Sequence, residues 1–170
     1  KGVSSSSINE TFWPDKSSES AKNNRTVNIA KIRTLLEKVG DCSISKETGY
    51  WKFSFNPSRV YIDYYEYLDL LNNNKLKTRE GIYSLLQLIY LGPALQNVQS
   101  EWLDDFKSSI SNEIIDSILE YIHAEEAKNE PKFIIHLANC VFFFDMANEE
   151  AMTVKCKTLV SLGKHSLAKK

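Results

Sequence analysis

Three observations predict a mainly α chain in which one β-hairpin separates a short front part from a long helical back part. Apolar residues recur at three- and four-residue steps through most of the 170 residues, the period of an amphipathic helix. That period breaks at "CSISKETGYWKFSF" (42–55), where Ile44 stands alone in a first run and Tyr50, Trp51, Phe53 and Phe55 fill a second one after "ETG". Two such runs about a glycine turn read as a hairpin. From Tyr61 onward, helical segments follow one another with short connections, the pattern of stacked helical hairpins.

Taken in order, "SSSSINETFW" offers serines as caps for a short helix carrying Ile8 and Phe12, and Pro14 ends it because proline disfavours helical geometry in the residue before it. "DKSSES" is a turn whose Ser17 or Ser18 opens the next helix. That helix places Ala21, Ile29, Ile32, Leu36 and Val39 on one side and Asn24, Asn28 and Lys31 on another, and Gly40 supplies its C-cap. After the hairpin, "YIDYYEYLDLL" (61–71) is a helix with Asp63 as cap, stopped by "NNN" at 72–74. "TREGIYSLLQLIYLG" starts at Thr78 and Glu80 and ends at Gly92-Pro93. A long segment over 100–129 follows, then "PKFIIHLANCVFFFD" opened by Pro131, then "NEEAMTVKCKTLVSLGK".

Composition is that of an ordinary globular chain, 42% hydrophobic and 25% charged, with a formal net charge of -1. The average hides an asymmetry. Residues 1–56 hold nine Lys/Arg against six Asp/Glu, and residues 57–160 hold nine against sixteen. A basic front and an acidic back imply two parts with different partners. The window 16–38 is the most basic, with Lys16, Lys22, Arg25, Lys31, Arg33 and Lys38 against Glu19 and Glu37.

Three scattered cysteines, Cys42, Cys140 and Cys156, have no metal-like spacing and fit buried thiols in a reducing compartment. The longest apolar stretch, 133–144, is short and interrupted by His136 and Asn139, so no membrane span is expected and the segment reads as a core helix. The chain begins "KGVSSSSINE" without an initiator Met or a signal peptide, and reads as part of a longer protein.

No catalytic constellation emerges. His123, His136 and His165 lack Cys or carboxylate partners at ligand spacing, and His136 sits inside an apolar helix as a core histidine does. Asp104-Asp105, Glu125-Glu126 and Glu149-Glu150 read as solvated helix faces, and there is no phosphate loop or nucleophile elbow. Neither enzymatic activity, nor a cofactor, nor a bound metal is expected. The front differs. A helix, a turn, a second basic helix and a hairpin is the order of a winged helix, in which a helix lies in the major groove and amides and cations read base edges. Asn24, Asn28 and Lys31 would face bases, while Lys22, Arg25 and Lys46, the last near the hairpin tip, would hold phosphates. The same helix also fits a plain soluble polar face. Tyr50, Trp51 and Phe53 are expected to pack on the helices, and Tyr61, Tyr64, Tyr65 and Tyr67 to form the joint between the parts.

"FWPDKSSESAKNNRTVNIAKIRTLLEKVG" followed by "SISKETGYWKF" resembles the C-terminal half of the OmpR/PhoB-type winged helix. The matching features are Trp13, then Ile29, Ile32, Arg33 and Leu36, then Gly49 and Tyr50. "YIDYYEYLDLL" looks like the junction that follows this domain in SARP-like regulators, and "LLQLIYLGPALQNVQSEWLDDFKSSIS" is similar to the signature of the bacterial transcriptional activator domain, a tetratricopeptide-like stack. The two resemblances occur in the family's order and cover nearly the whole chain. They imply a winged-helix DNA-binding domain over 1–57, lacking the family's N-terminal sheet and first helix, and a tetratricopeptide-like domain over 58–170. The implied protein is a cytoplasmic bacterial transcription regulator that binds double-stranded DNA and uses its helical domain for a protein partner or homodimer. The other reading left open is a tetratricopeptide-like interaction module whose winged helix is degenerate and does not bind DNA.

Overall fold

The computed structural model describes residues 2–124 and 130–169. The chain is mainly α, with eight α-helices and a three-stranded antiparallel sheet among the described residues. It divides into two compact units, Lys1–Ile62 and Asp63–Lys170; the sequence placed this boundary after residue 57.

The first unit begins with a strand that the sequence did not reveal, β1 (Val3–Ser4), which runs into α1 (Ser5–Phe12). Ser4 is the N-cap of α1, its Oγ accepting from the Ser7 backbone N–H at 3.0 Å, so the four serines are divided between strand, cap and first turn. After the Pro14 turn comes α2 (Ser18–Val39), capped by Ser17 and closed by Gly40 at φ +75°. The hairpin pairs β2 (Cys42–Glu47) with β3 (Tyr50–Phe55). Thr48 and Gly49 both have positive φ, 49° and 87°, as a type I′ turn requires. β3 is the central strand, with β1 on its other edge in register Val3↔Trp51 and Ser4↔Tyr50.

Burial in this unit is sparse. Ala21 is the one fully buried apolar side chain among its described residues. Ile29 and Leu36 are half-buried on the inner side of α2. The other two members of the expected apolar side, Ile32 and Val39, are exposed, Val39 at 68%. α2 packs against α1 and β2, a width that covers Ile29 and Leu36 but does not reach round the helix to Ile32 and Val39. Trp51 turns inward, while Tyr50 and Phe53 are exposed.

The second unit holds the core. Its helices are α3 (Asp63–Asn72), α4 (Arg79–Tyr90), α5 (Asp104–His123), α6 (Pro131–Phe144), α7 (Glu149–Ser161) and the short α8 (His165–Ala168). Single 3-10 turns precede α4 (Lys75–Lys77) and α5 (Glu101–Leu103). Within this unit α3 packs on α4, the first 3-10 turn on α4 and α5, α5 on α6, and α6 on α7. Two caps and one proline fall where sequence chemistry puts them, whereas Asp63, expected as the cap of α3, is its first helical residue and its carboxylate accepts from the adjacent Tyr64 N–H. Thr78 accepts from the Gly81 N–H, Asn148 accepts from the Ala151 N–H, and Pro131 stands in the first turn of α6. Ile82, Leu85, Ile118, Leu137 and Val141 are wholly enclosed, each stabilising the fold by about 1.5–3 kcal/mol relative to exposure.

Aromatic side chains complete the packing at the edges. Tyr64 of α3 meets Phe106 of α5 edge-on, and the Tyr67 hydroxyl donates to Glu113 at 2.8 Å. Tyr83 stacks on Phe133 at 4.9 Å between centroids, and Arg79 lies over both rings while pairing with Glu130. Cys140 is buried, which raises its thiol pKa, and Cys42 and Cys156 are half-buried; all three are free. No helix among the described residues is long and apolar enough to cross a membrane.

Candidate nucleic-acid interface

The outward side of α2 is the most distinctive surface of the first unit. A helix brings residues three and four apart onto one strip, and here that strip runs Ser20, Asn24, Val27, Asn28, Lys31, Thr34, Leu35 and Lys38. It contains no acid, because Glu19 and Glu37 project from a different side. Asn28 and Lys31 are exposed and Asn24 is half-buried. The three sequence-predicted base-reading residues therefore lie side by side on successive turns. Asn28 donates its side-chain amide to the Asn24 carbonyl at 2.8 Å, which ties the side chain to the helix backbone. Thr26 and Thr34 bond to the helix backbone in the same way.

The three residues expected to hold phosphates are dispersed. Lys22 is exposed at the N-terminal end of the helix. Arg25 is half-buried and turned inward, its guanidinium donating to the Ser5 carbonyl at 3.2 Å and to the Asn9 side chain; it ties α2 to α1. Lys46 is exposed on β2, with its ammonium 5.6 Å from the centre of the Trp51 ring. The neighbouring hairpin cation, Lys52, is neutralised by Glu47 at 2.8 Å. That hydrogen bond, with a second from Ser45, holds the Glu47 carboxyl below its ordinary range. Among the described residues no acid pairs with Lys22, Lys31 or Lys46.

Sequence reasoning passed over two kinds of residue here. Val27 and Leu35 lie in the strip and are exposed at 53% and 59%. Exposed apolar side chains in an amide-and-cation strip are the type that touches a thymine methyl. The other is Arg33, which leaves α2 on the side away from the strip. Its Nε donates to the Ile44 carbonyl at 3.0 Å and its guanidinium lies 5.7 Å from the centre of the Trp51 ring. Its place in an amphipathic period was visible, but its partners on β2 and β3 were not.

Elsewhere two of the three histidines have ordinary partners, and His136, expected as a core residue, is only half-buried. His136 shares a hydrogen bond with the Tyr90 hydroxyl at 3.1 Å, and His123 with Glu150 at 2.8 Å. Glu125-Glu126 lies outside the described residues. Among the described residues, no group of three His, Cys, Asp or Glu is placed to hold a metal ion. No family model, curated protein or solved structure matches this chain.

Proposed function

We propose that the first unit binds double-stranded DNA as a winged helix, with the Asn24–Asn28–Lys31 strip of α2 in the major groove and the hairpin beside the adjacent backbone. The carrying observation is the acid-free strip itself: a half-buried amide, an exposed amide and an exposed lysine on consecutive turns, beside a hairpin whose Lys46 has no acid partner among the described residues. Asn is matched to adenine and Lys to guanine or phosphate, each good base contact giving about 1–3 kcal/mol of discrimination. Lys46 would hold a phosphate, whereas Lys22, two residues from Asn24, projects from the side of α2 away from the strip and Arg25, engaged by α1, would act as a brace. The second unit, in this reading a tetratricopeptide-like stack, would bind a protein partner or a second copy, and the whole would act as a transcription regulator of the SARP-like kind that the sequence resembles. Two half-sites on one duplex would multiply the affinity of a single small module.

The second reading is a protein-interaction module in which the winged helix does not touch DNA. It is favoured by Val27, Ile32, Leu35 and Val39, all of them exposed along α2, since clustered exposed apolar side chains mark protein contacts as readily as base contacts. Selection of bound duplexes from a random pool separates the two. The DNA reading expects a recovered motif that an Asn24→Ala, Asn28→Ala, Lys31→Ala triple variant loses. Absence of enrichment even at low salt, where phosphate attraction is strongest, would leave the interaction module standing.

A further inference from the structure

Trp51 joins four segments of the first unit. Its indole N–H donates to Ser5 Oγ at 3.0 Å at the start of α1. It is paired with Val3 of β1 on one side and with Lys46 of β2 on the other. Two cations from different elements share its ring, Arg33 at 5.7 Å and Lys46 at 5.6 Å. They are held differently. Arg33 is fixed a second time by its hydrogen bond to the Ile44 carbonyl, whereas Lys46 has the ring contact and a flexible four-carbon stem.

We infer that Arg33 and Trp51 are positioning residues that set the angle of the hairpin against α2 and so place Lys46 on a backbone phosphate while the α2 strip reads bases. This rests on the DNA-binding reading above. Arg33 is two residues from Lys31 and five from Asn28, and residues at such steps point away from one another on a helix. With its guanidinium aimed at the sheet, it is not placed to touch a duplex that lies against the strip. A ring shared by a twice-held arginine and a lysine on a flexible stem leaves the lysine able to exchange its weak cation–π contact for a phosphate. An arginine is suited to the fixed role because its planar fork can bond and stack at once.

The test is the salt dependence of duplex binding by the full chain and by Lys46→Ala, Arg33→Ala, Arg33→Lys and the Arg33→Ala/Lys46→Ala double variant. Loss of one phosphate contact lowers the slope of log affinity against log salt by about 0.9. The expected result is that Lys46→Ala and Arg33→Ala each lose about that much and the double variant loses no more than either. Arg33→Lys, which keeps the charge but not the fork, should fail to restore the slope, while preference among duplex sequences is retained in every variant. Additive losses in the double variant, or rescue by lysine, would make Arg33 a phosphate contact in its own right and overturn the inference. So would an unchanged slope in Arg33→Ala. Absence of salt-dependent binding by the unsubstituted chain would remove the DNA reading itself, an outcome distinct from each of these.

Discussion

Tyr67 shows how one side chain in the helical unit links packing to pH. Its ring is buried against the core and its hydroxyl donates to Glu113. Burial, and then the carboxylate beside it, hold the phenol protonated well above its ordinary value of 10.0. The folded state therefore keeps this proton more tightly than the unfolded chain. The resulting stability is complete below the unfolded value and declines as pH rises past about 10. Urea unfolding at about pH 8 and about pH 11 should show a loss of stability that is smaller in Tyr67→Phe, which has no proton to give up; equal losses would place the effect elsewhere. Depth of burial sets a second contrast. Ile82→Ala, at a wholly enclosed position, should cost about 2–5 kcal/mol by the cavity it leaves. Leu35→Ala, at an exposed one, should stay within about 0.5 kcal/mol. Denaturant midpoints measure both.

At the scale of elements, Gly81 determines how α4 meets the 3-10 turn before it. A Cβ there would stand 1.9 Å from the Lys75 carbonyl oxygen and 2.4 Å from its carbon, and backbone atoms cannot step aside. Alanine normally helps a helix by about 1 kcal/mol over glycine. Here Gly81→Ala should instead destabilise by roughly 1–3 kcal/mol through overpacking, seen as a lowered unfolding midpoint. This close approach was not legible in the sequence, where Gly81 is a first-turn residue of α4 and nothing in the spacing brings the Lys75 carbonyl against it. Two helix starts were legible, because Ser17 and Thr78 act on backbone groups within three residues of themselves. The hairpin was legible because its turn is local. β1 was not, since two residues carry no period and its partner, β3, lies on the far side of α2. The site divides the same way. The strip of Asn24, Asn28 and Lys31 follows from helical spacing alone. The inward turn of Arg25 and the capture of Arg33 by Ile44 and Trp51 depend on elements that spacing does not describe.

At the scale of the whole molecule, the two units differ in what holds them together. The large buried cluster lies entirely within Asp63–Lys170, whereas the described residues of Lys1–Ile62 bury Ala21 alone. A unit of about sixty residues ordinarily hides a majority of its unfolded surface to be stable. Asp63–Lys170 prepared alone should accordingly keep a cooperative thermal transition by circular dichroism, while Lys1–Ile62 alone should show none; a sharp transition in the small fragment would mean that its sheet and the bonds around Trp51 suffice. The charge asymmetry is arranged on the same division, with the basic strip on the first unit and the acid excess on the second. In the proposed function, DNA meets the molecule at the α2 strip and the hairpin. The most direct measurement is a nuclear magnetic resonance titration of the full chain with a duplex at low salt, read residue by residue. The expected result is a set of shifts in the amides and side chains of Asn24, Asn28, Lys31 and Lys46 and their immediate neighbours, with the resonances of α4 to α7 unmoved. Shifts confined to Asp63–Lys170, or none at all, would contradict it.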